Sequence, residues 1–484
     1  MPESAPRGIG GAADAGDAEA FFYALEWYGQ SNRKRRQLEM DLTQSLPKAH
    51  QYSMKLKKIW LSLVKHKLIY IGLVINILFY ISAYQTKWFD YFFSGSSLHL
   101  CCRGLDFYQV PNGAYAYLHG GSLSGSLAPG VKAYSGEYYS NINVYHPLFT
   151  LLIGGLFTLF TAANSIYIWM LLKLCITLGL VIYFYRSFKG SRYIHFAIFV
   201  MLIDFTQYLE ISISQYQFLF NVFILLLLIN LAKNKNAPIA NGIYFLASLL
   251  VKPIGFLWFP LLFFKGQQKA LLLGLLLFIV GTGIFVVNKT GDYYTHNLVG
   301  HFFAPYYTGP IEIITLDALL RSSVHVPEFV LGLLKMTFLG LTLFLSTLKR
   351  IHVVKSFYLT IVCYLLFFDL VYEYYYTSIV VVLAVCLVSC TDFQTKAARI
   401  LITILSLPGV FFILHFFHVG FVQDQLLGPD PTFLGWQLMV LSRIIPLILL
   451  TVLVLWSDIL LACRDLRRFY KVMRQVNKEL EVFG

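Results

Sequence analysis

The sequence predicts an all-α polytopic membrane protein of about twelve transmembrane helices, with a long first outer loop that carries interfacial helices. Three observations predict it. The 484 residues are 57% hydrophobic, 17% aromatic and only 13% charged, with a mean hydropathy of +0.65, an apolar balance foreign to soluble chains. Hydrophobic runs recur from residue 68 to residue 462, each of about 17–25 residues, enough to cross a hydrocarbon core of ~30 Å as a helix. The net charge of +13 is carried by short basic segments between those runs instead of one soluble face, a pattern that reports topology and not nucleic-acid binding.

Residues 1–20, rich in Ala, Gly and acids, read as a disordered tail. The basic approach RKRR (33–36), KLKK (55–58) and KHK (65–67) keeps the region 1–67 cytoplasmic, either solvated or lying on the anionic inner leaflet. No cleavable signal peptide is expected, because the first apolar run begins near residue 68 and lacks a small-residue cleavage site. A transmembrane domain over 68–462 follows, then a basic cytoplasmic tail over 463–484. With the first helix at 68–85 running outward, the inside segments are 186–192, 233–235, 265–269, 349–355, 396–399 and the tail. Most of the 38 Lys and Arg fall there and in the amino-terminal region; the outside segments hold Lys87, Arg103, Lys132, Lys289 and Arg321. This pattern places both termini inside, provided that PLFTLLIGGLFTLF (147–160) is interfacial or re-entrant; if it crosses, 186–192 faces outward. Two long outer loops result, at about 86–146 and 289–326. Both are rich in Tyr, Phe, Gly and His, unlike disordered segments. The seven cysteines show no disulfide or zinc spacing, and no internal repeat is visible.

Several polar residues of the outer face are candidates for chemistry. Asp106, in GLDFYQVPNGAYAYLHGG (104–121), is a carboxylate at the membrane boundary followed by Phe107 and Tyr108. In a partly dry pocket its pKa would rise into the range of a general base; in a wet loop it would be a solvated acid or a helix cap. The same loop ends at His146-Pro147 before an apolar helix. Gln215 and Gln217, in SISQYQFLFN (212–221), can hydrogen-bond sugar hydroxyls or simply mark an interface. Lys252 stands in the apolar run FLASLLVKPIGFLWF, costly in lipid by roughly 2.5–3.5 kcal/mol. Pro253 would break the helix there, so Lys252 either meets a phosphate at a hairpin turn or snorkels to the interface. His296 and Arg321 of the second outer loop, and Glu373 and Tyr374 in DLVYEYYYTS (369–378), could receive an anionic headgroup or a sugar, or form part of an aromatic belt. P-loop, GxGxxG and HExxH patterns are missing from the sequence, so a cytosolic nucleotide is not the evident energy source.

In order and spacing these motifs resemble the integral-membrane glycosyltransferases of the C-type fold, and within them the bacterial polyprenyl-phosphate-mannose-dependent alpha-mannosyltransferases that include the mycobacterial enzyme extending phosphatidylinositol mannosides. The motifs carrying the likeness are Asp106-Phe107-Tyr108, GAYAYLHGG, Tyr145-His146-Pro147, Ser214-Gln215-Tyr216-Gln217 and Lys252-Pro253. They span residues 68–270; beyond that the likeness is mostly topological. Ser214 and Gln217 replace the family's Gly and Asn, and His146 replaces the first Pro of a Tyr-Pro-Pro-like motif.

The resemblance implies inverting transfer of a hexose, mannose first, or a pentose, from a polyprenyl-phosphate donor to a lipid or glycan acceptor. Asp106 would take the acceptor proton. Lys252, with His146 or Arg321, would stabilise the leaving phosphate, while Tyr108, Gln215, Gln217, His296, Glu373 and Tyr374 would line the substrate site. No cofactor is expected beyond the lipid-linked donor, a divalent metal is possible but not indicated, and nucleic acid is not an expected partner. The expected location is a bacterial inner membrane. A lipid transporter or flippase is the alternative, with Asp204 and Lys173 as its mid-membrane ionisable residues; a non-catalytic subunit is a third reading.

Overall fold

The computed structural model describes residues 66–86, 88–89, 104–136, 143–235, 237–295, 313–348, 350–368, 371–409 and 433–483, with backbone alone at 105, 433–435, 462–463 and 465–483. The chain divides into two units, 1–67 and 68–484, and nearly all the described residues belong to the second. Among them every regular element is helical. In chain order these are α1 (Lys67–Ile81, continued by a π-turn at Ser82–Thr86), α2 (Leu105–Leu118) and α3 (Pro147–Phe157, with a π-turn at Thr150–Gly154). Next come α4 (Ala162–Ser187), α5 (Ile194–Leu202), α6 (Phe205–Ile213), α7 (Gln217–Ala232), α8 (Pro238–Val251), α9 (Pro253–Phe264) and α10 (Gln268–Val287). The last are α11 (Leu316–Ser323), α12 (Glu328–Thr347), α13 (Val353–Phe367), α14 (Glu373–Ser389), α15 (Lys396–Ser406) and α16 (Phe433–Phe483).

Among the described residues five helices are long and apolar enough to cross a membrane: α1 with its π-turn, α4, α10, α12 and the stretch Trp436–Leu461 of α16. A sixth crossing arises if α5 and α6, which meet at 43°, form one bent span. Asp204 stands at that bend and caps α6, accepting from the Thr206 amide at 3.1 Å and its hydroxyl at 2.7 Å. Length and apolarity thus support five or six spans of the expected twelve. The shortfall has a physical reason: α3, α7, α8, α9, α13 and α14 are apolar but only 10–17 residues long, about 15–25 Å at 1.5 Å per residue. Helix α3 covers most of 147–160 and is among these short elements.

The short helices form the interior. Nearly every residue of α7, α13 and α14 is buried, so these helices are hydrophobic all round instead of amphipathic. Helices α10 and α12 do the opposite, exposing Leu272, Ile279, Val287, Phe329, Leu333 and Met336. Such apolar surface is stable against lipid and not against water.

A buried ion pair holds the carboxyl-terminal helix to this core. Arg443 of α16 donates to Glu373 from Nη2 at 2.7 Å and from Nε at 3.2 Å, and its Nη1 reaches the carbonyls of Leu405 and Leu407 at 2.9 and 2.8 Å. Arg443→Met would strand the Glu373 carboxylate, a loss of about 3–5 kcal/mol. A thermal melt of the purified protein should show this drop, and adding Glu373→Gln should restore part of it.

The hairpin of α7 and α8 sorts the loops into two ends. Residues 214–217 and Lys252 lie at one end, where α7 begins and α8 finishes, and residues 233–235 lie at the other. Lys235, Lys265, Gln267 and His352, from three segments expected inside, line one cavity at that second end. Three of the segments expected inside thus gather at one end of the hairpin.

Candidate functional site

The first end of the hairpin gathers a polar cluster whose members are remote in sequence. Asp106 sits in the first turn of α2, which starts from Gly104 at φ +79°, a left-handed value that glycine adopts without steric cost. The Gly104 amide donates to the Ser212 carbonyl at 3.2 Å, tying the start of α2 to the end of α6. On its other side α2 presses on α3: a Cβ on Gly154 would stand 2.4 Å from the Val110 carbonyl oxygen, so a bare backbone is what lets the two helices approach this closely. Asn143 locks the loop between them, donating to the Leu123 carbonyl and the Thr150 hydroxyl, both at 2.8 Å.

Two primary amides serve the Asp106 carboxylate. Gln109, one helical turn on, donates to Oδ1 at 2.8 Å, and Gln215 donates to Oδ2. The Gln215 amide is oriented by Tyr145, whose hydroxyl donates to Oε1 at 2.8 Å, and it also donates to the Tyr374 hydroxyl at 3.1 Å. Gln215 lies just beyond Ser214, whose backbone is left-handed at φ +58°. The hydroxyl of Ser214 bonds Tyr84 and donates to the Ile211 carbonyl at 3.1 Å, which offsets the strain a non-glycine residue bears there.

Lys252 supplies the cation. Helix α8 ends at Val251, Lys252 is extended at φ −144° and ψ 127°, and Pro253 opens the next helix, as expected of a Lys-Pro hairpin. Its ammonium donates to the Tyr375 hydroxyl at 2.8 Å and lies 4.5 Å from that ring's centroid and 5.8 Å from that of Tyr374. The rings of Tyr372, Tyr374 and Tyr375 stack on one another with interplanar angles of 11–24°, a flat aromatic platform beside the amine. Burial pushes the Asp106 carboxyl up to about 6, against the opposing pull of Lys252 and the two amides. Such a group is mostly ionised at neutral pH yet basic enough to accept a proton.

No protein-family model matches the chain, and no match to it was found among curated proteins. The resemblance to C-type transferases therefore rests on the residues themselves.

Of the expected site residues, Asp106, Gln215, Lys252 and Tyr374 come together. Others are engaged elsewhere. His146 caps a helix: its Nδ1 accepts from the Leu148 amide at 3.1 Å, its Nε2 meets Thr282 at 2.9 Å, and burial lowers its pKa to about 4. Glu373 is consumed by Arg443. Arg321 pairs with Asp317 at 3.4 Å and with Glu328, a local ion pair around α11. Gln217 donates to Ser378 at 2.7 Å and to Asn221 at 3.4 Å inside the α7–α14 contact. Tyr108 is buried, packs on Phe107 and donates to the Ala162 carbonyl at 3.0 Å, so it holds α2 to the start of α4. His296 lies outside the described residues.

The cluster includes three residues outside the expected site set: Gln109, which was not singled out, Tyr145, named only within the Tyr145-His146-Pro147 motif, and Tyr375, which stands in DLVYEYYYTS. The spacing of three residues from Asp106 was a usable signal for Gln109. Tyr145 and Tyr375 stood inside motifs already of interest, but nothing in a chain with 32 tyrosines told that these two meet Gln215 and Lys252. Asp106 is the one acidic group of the cluster, and among the described residues no three His, Cys, Asp or Glu side chains gather as a metal centre would. A separate cavity of about 50 Å³ is lined by Asp204, Gln207, Glu210, Asn221 and Thr377; beside it Lys173 binds Glu210 at 2.7 Å with both side chains buried.

Proposed function

We propose that the chain is a membrane glycosyltransferase that moves a hexose, mannose first, from a polyprenyl-phosphate donor to a lipid or glycan acceptor hydroxyl, with inversion. The observation that carries this reading is the joining of a partly desolvated carboxylate, a lysine and a tyrosine platform at one end of the helical core. The acceptor oxygen would bond to the sugar C1 while its proton passes to Asp106. The C1 to phosphate-oxygen bond would break with its electron pair leaving on the phosphate, whose charge Lys252 meets. A leaving phosphate needs no acid, which suits a cluster with a single carboxyl group. Stacked tyrosines offer the flat apolar face that sugar rings pack against. On this reading the crossings number twelve with α3 interfacial or re-entrant, both termini face the cytoplasm, and the site faces outward from a bacterial inner membrane.

Membranes carrying the protein should transfer label from polyprenyl-phosphate mannose, or from another lipid-linked hexose or pentose, and not from a nucleotide sugar. Transfer from a nucleotide sugar alone, or lipid movement between leaflets without transfer, would remove the proposal. The buried charges beside Asp204 favour the transporter alternative, yet their cavity of about 50 Å³ holds a few waters and not a lipid headgroup.

A further inference from the structure

The opposite end of the core holds a second, larger cavity, of about 450 Å³, within the usual size of a ligand site. Three connections line it: Asn234 and Lys235 after α7, Lys265 and Gln267 between α9 and α10, and Ile351, His352 and Val353 at the start of α13, with Leu231 behind. None of these residues is acidic. Among the described residues neither Lys235 nor Lys265 has a carboxylate partner; Asp392 and Asp458, nearby in α13's surroundings, are both taken by Lys355.

The lining is arranged as donors. Lys265 gives two of its three protons to the carbonyls of Leu348 and Ile351, at 2.9 and 2.7 Å, which leaves one. The Gln267 carbonyl oxygen accepts from Asn241, at 3.2 Å, and Asn241 accepts from Asn230 at 3.0 Å. This chain fixes the amide so that its nitrogen is the end left over. His352 accepts from the Val354 amide on Nδ1 at 3.3 Å, and the Cys390 thiol lies 3.6 Å from the same atom, so Nε2 is the ring nitrogen left over. The first turn of α13 adds the positive end of a 15-residue helix. Lysine, amide and imidazole donors without a compensating anion are what a phosphate oxygen requires.

We propose that this cavity binds a phosphate group, carried either by a soluble phosphate or by the headgroup of an anionic phospholipid. The site is separate from the Asp106 cluster and does not depend on the transferase reading.

The test is a thermal melt of the full chain, stripped of lipid in neutral detergent, titrated with inorganic phosphate, with dioctanoyl-phosphatidylglycerol, or with dioctanoyl-phosphatidylcholine. A saturable rise in melting temperature with either of the first two supports the site: phosphate alone identifies a soluble anion, phosphatidylglycerol alone a lipid headgroup. Lys235→Glu, on an exposed side chain, should weaken that response about tenfold or more. Lys265→Gln should do likewise if it folds, and Lys189→Glu, an exposed lysine away from the cavity, should leave it unchanged. The proposal is overturned if neither anion shifts the melt, if phosphatidylcholine matches phosphatidylglycerol, or if Lys235→Glu responds like the wild type.

Discussion

Asp106→Asn should lower sugar transfer by about 10²–10⁴-fold, the usual weight of a general base, while raising the melting temperature. Both effects come from one cause. Burial holds the Asp106 pKa near 6, above the 3.8 of an unfolded carboxyl, so the folded protein binds the proton more tightly than the unfolded chain. The ionised carboxylate therefore costs stability above pH ~6 and nothing below pH ~4, and the wild type should lose stability as the pH rises between those values. The upper bound is about 3 kcal/mol, reduced by the partial exposure of the side chain. Asparagine escapes the charge. It also finds partners, because the Gln109 carbonyl oxygen is buried without one and a flip of that amide would present it to the new Asn nitrogen. Wild-type activity should fall as the pH drops through ~6; a variant that keeps full transfer, or a wild type without this acid limb, would remove Asp106 as the base.

Lys252→Met should cost about 10²–10³-fold in transfer, the scale of losing one charged group opposite a developing anion. It should also move the acid limb of the remaining activity to higher pH, since Lys252 is the main charge that holds the Asp106 pKa down. Lys252→Arg keeps the charge and so should keep the limb in place, although its planar fork fits the Tyr375 contact poorly. A purely structural lysine would change the rate in both variants and the limb in neither. The pH profile separates the two roles.

The membrane class was legible because composition and charge segregation act over the whole chain and survive local error. The Lys252-Pro253 hairpin was legible for a local reason: Pro253 has no amide proton to continue α8, and a lysine beside it in an apolar run suits a break. Gln215 and Asp106 were both visible as polar residues in apolar company, but their meeting was not, because it depends on the left-handed Ser214 and on the glycine contact between α2 and α3. His146 and Glu373 misled for the same reason in reverse. A histidine before proline and an acid among tyrosines look like site residues until their partners, Thr282 and Arg443, are seen across the fold. The span count was legible only in part: hydropathy measures apolar length, and α7, α13 and α14 are apolar but short and largely buried in the protein.

Those short interior helices have a consequence for supply. Helices α10 and α12 each run 20 residues, about 30 Å, whereas α7, α8 and α13 run 14–16 residues, about 21–24 Å. A centre shorter than its rim gives room for a headgroup within the thickness of the bilayer, and on the proposed function a donor whose tail stays dissolved in the leaflet would reach it by sideways diffusion. Its concentration there would follow its mole fraction among the lipids, so the protein would have little need to grip the tail, and the polar cluster would discriminate by headgroup alone.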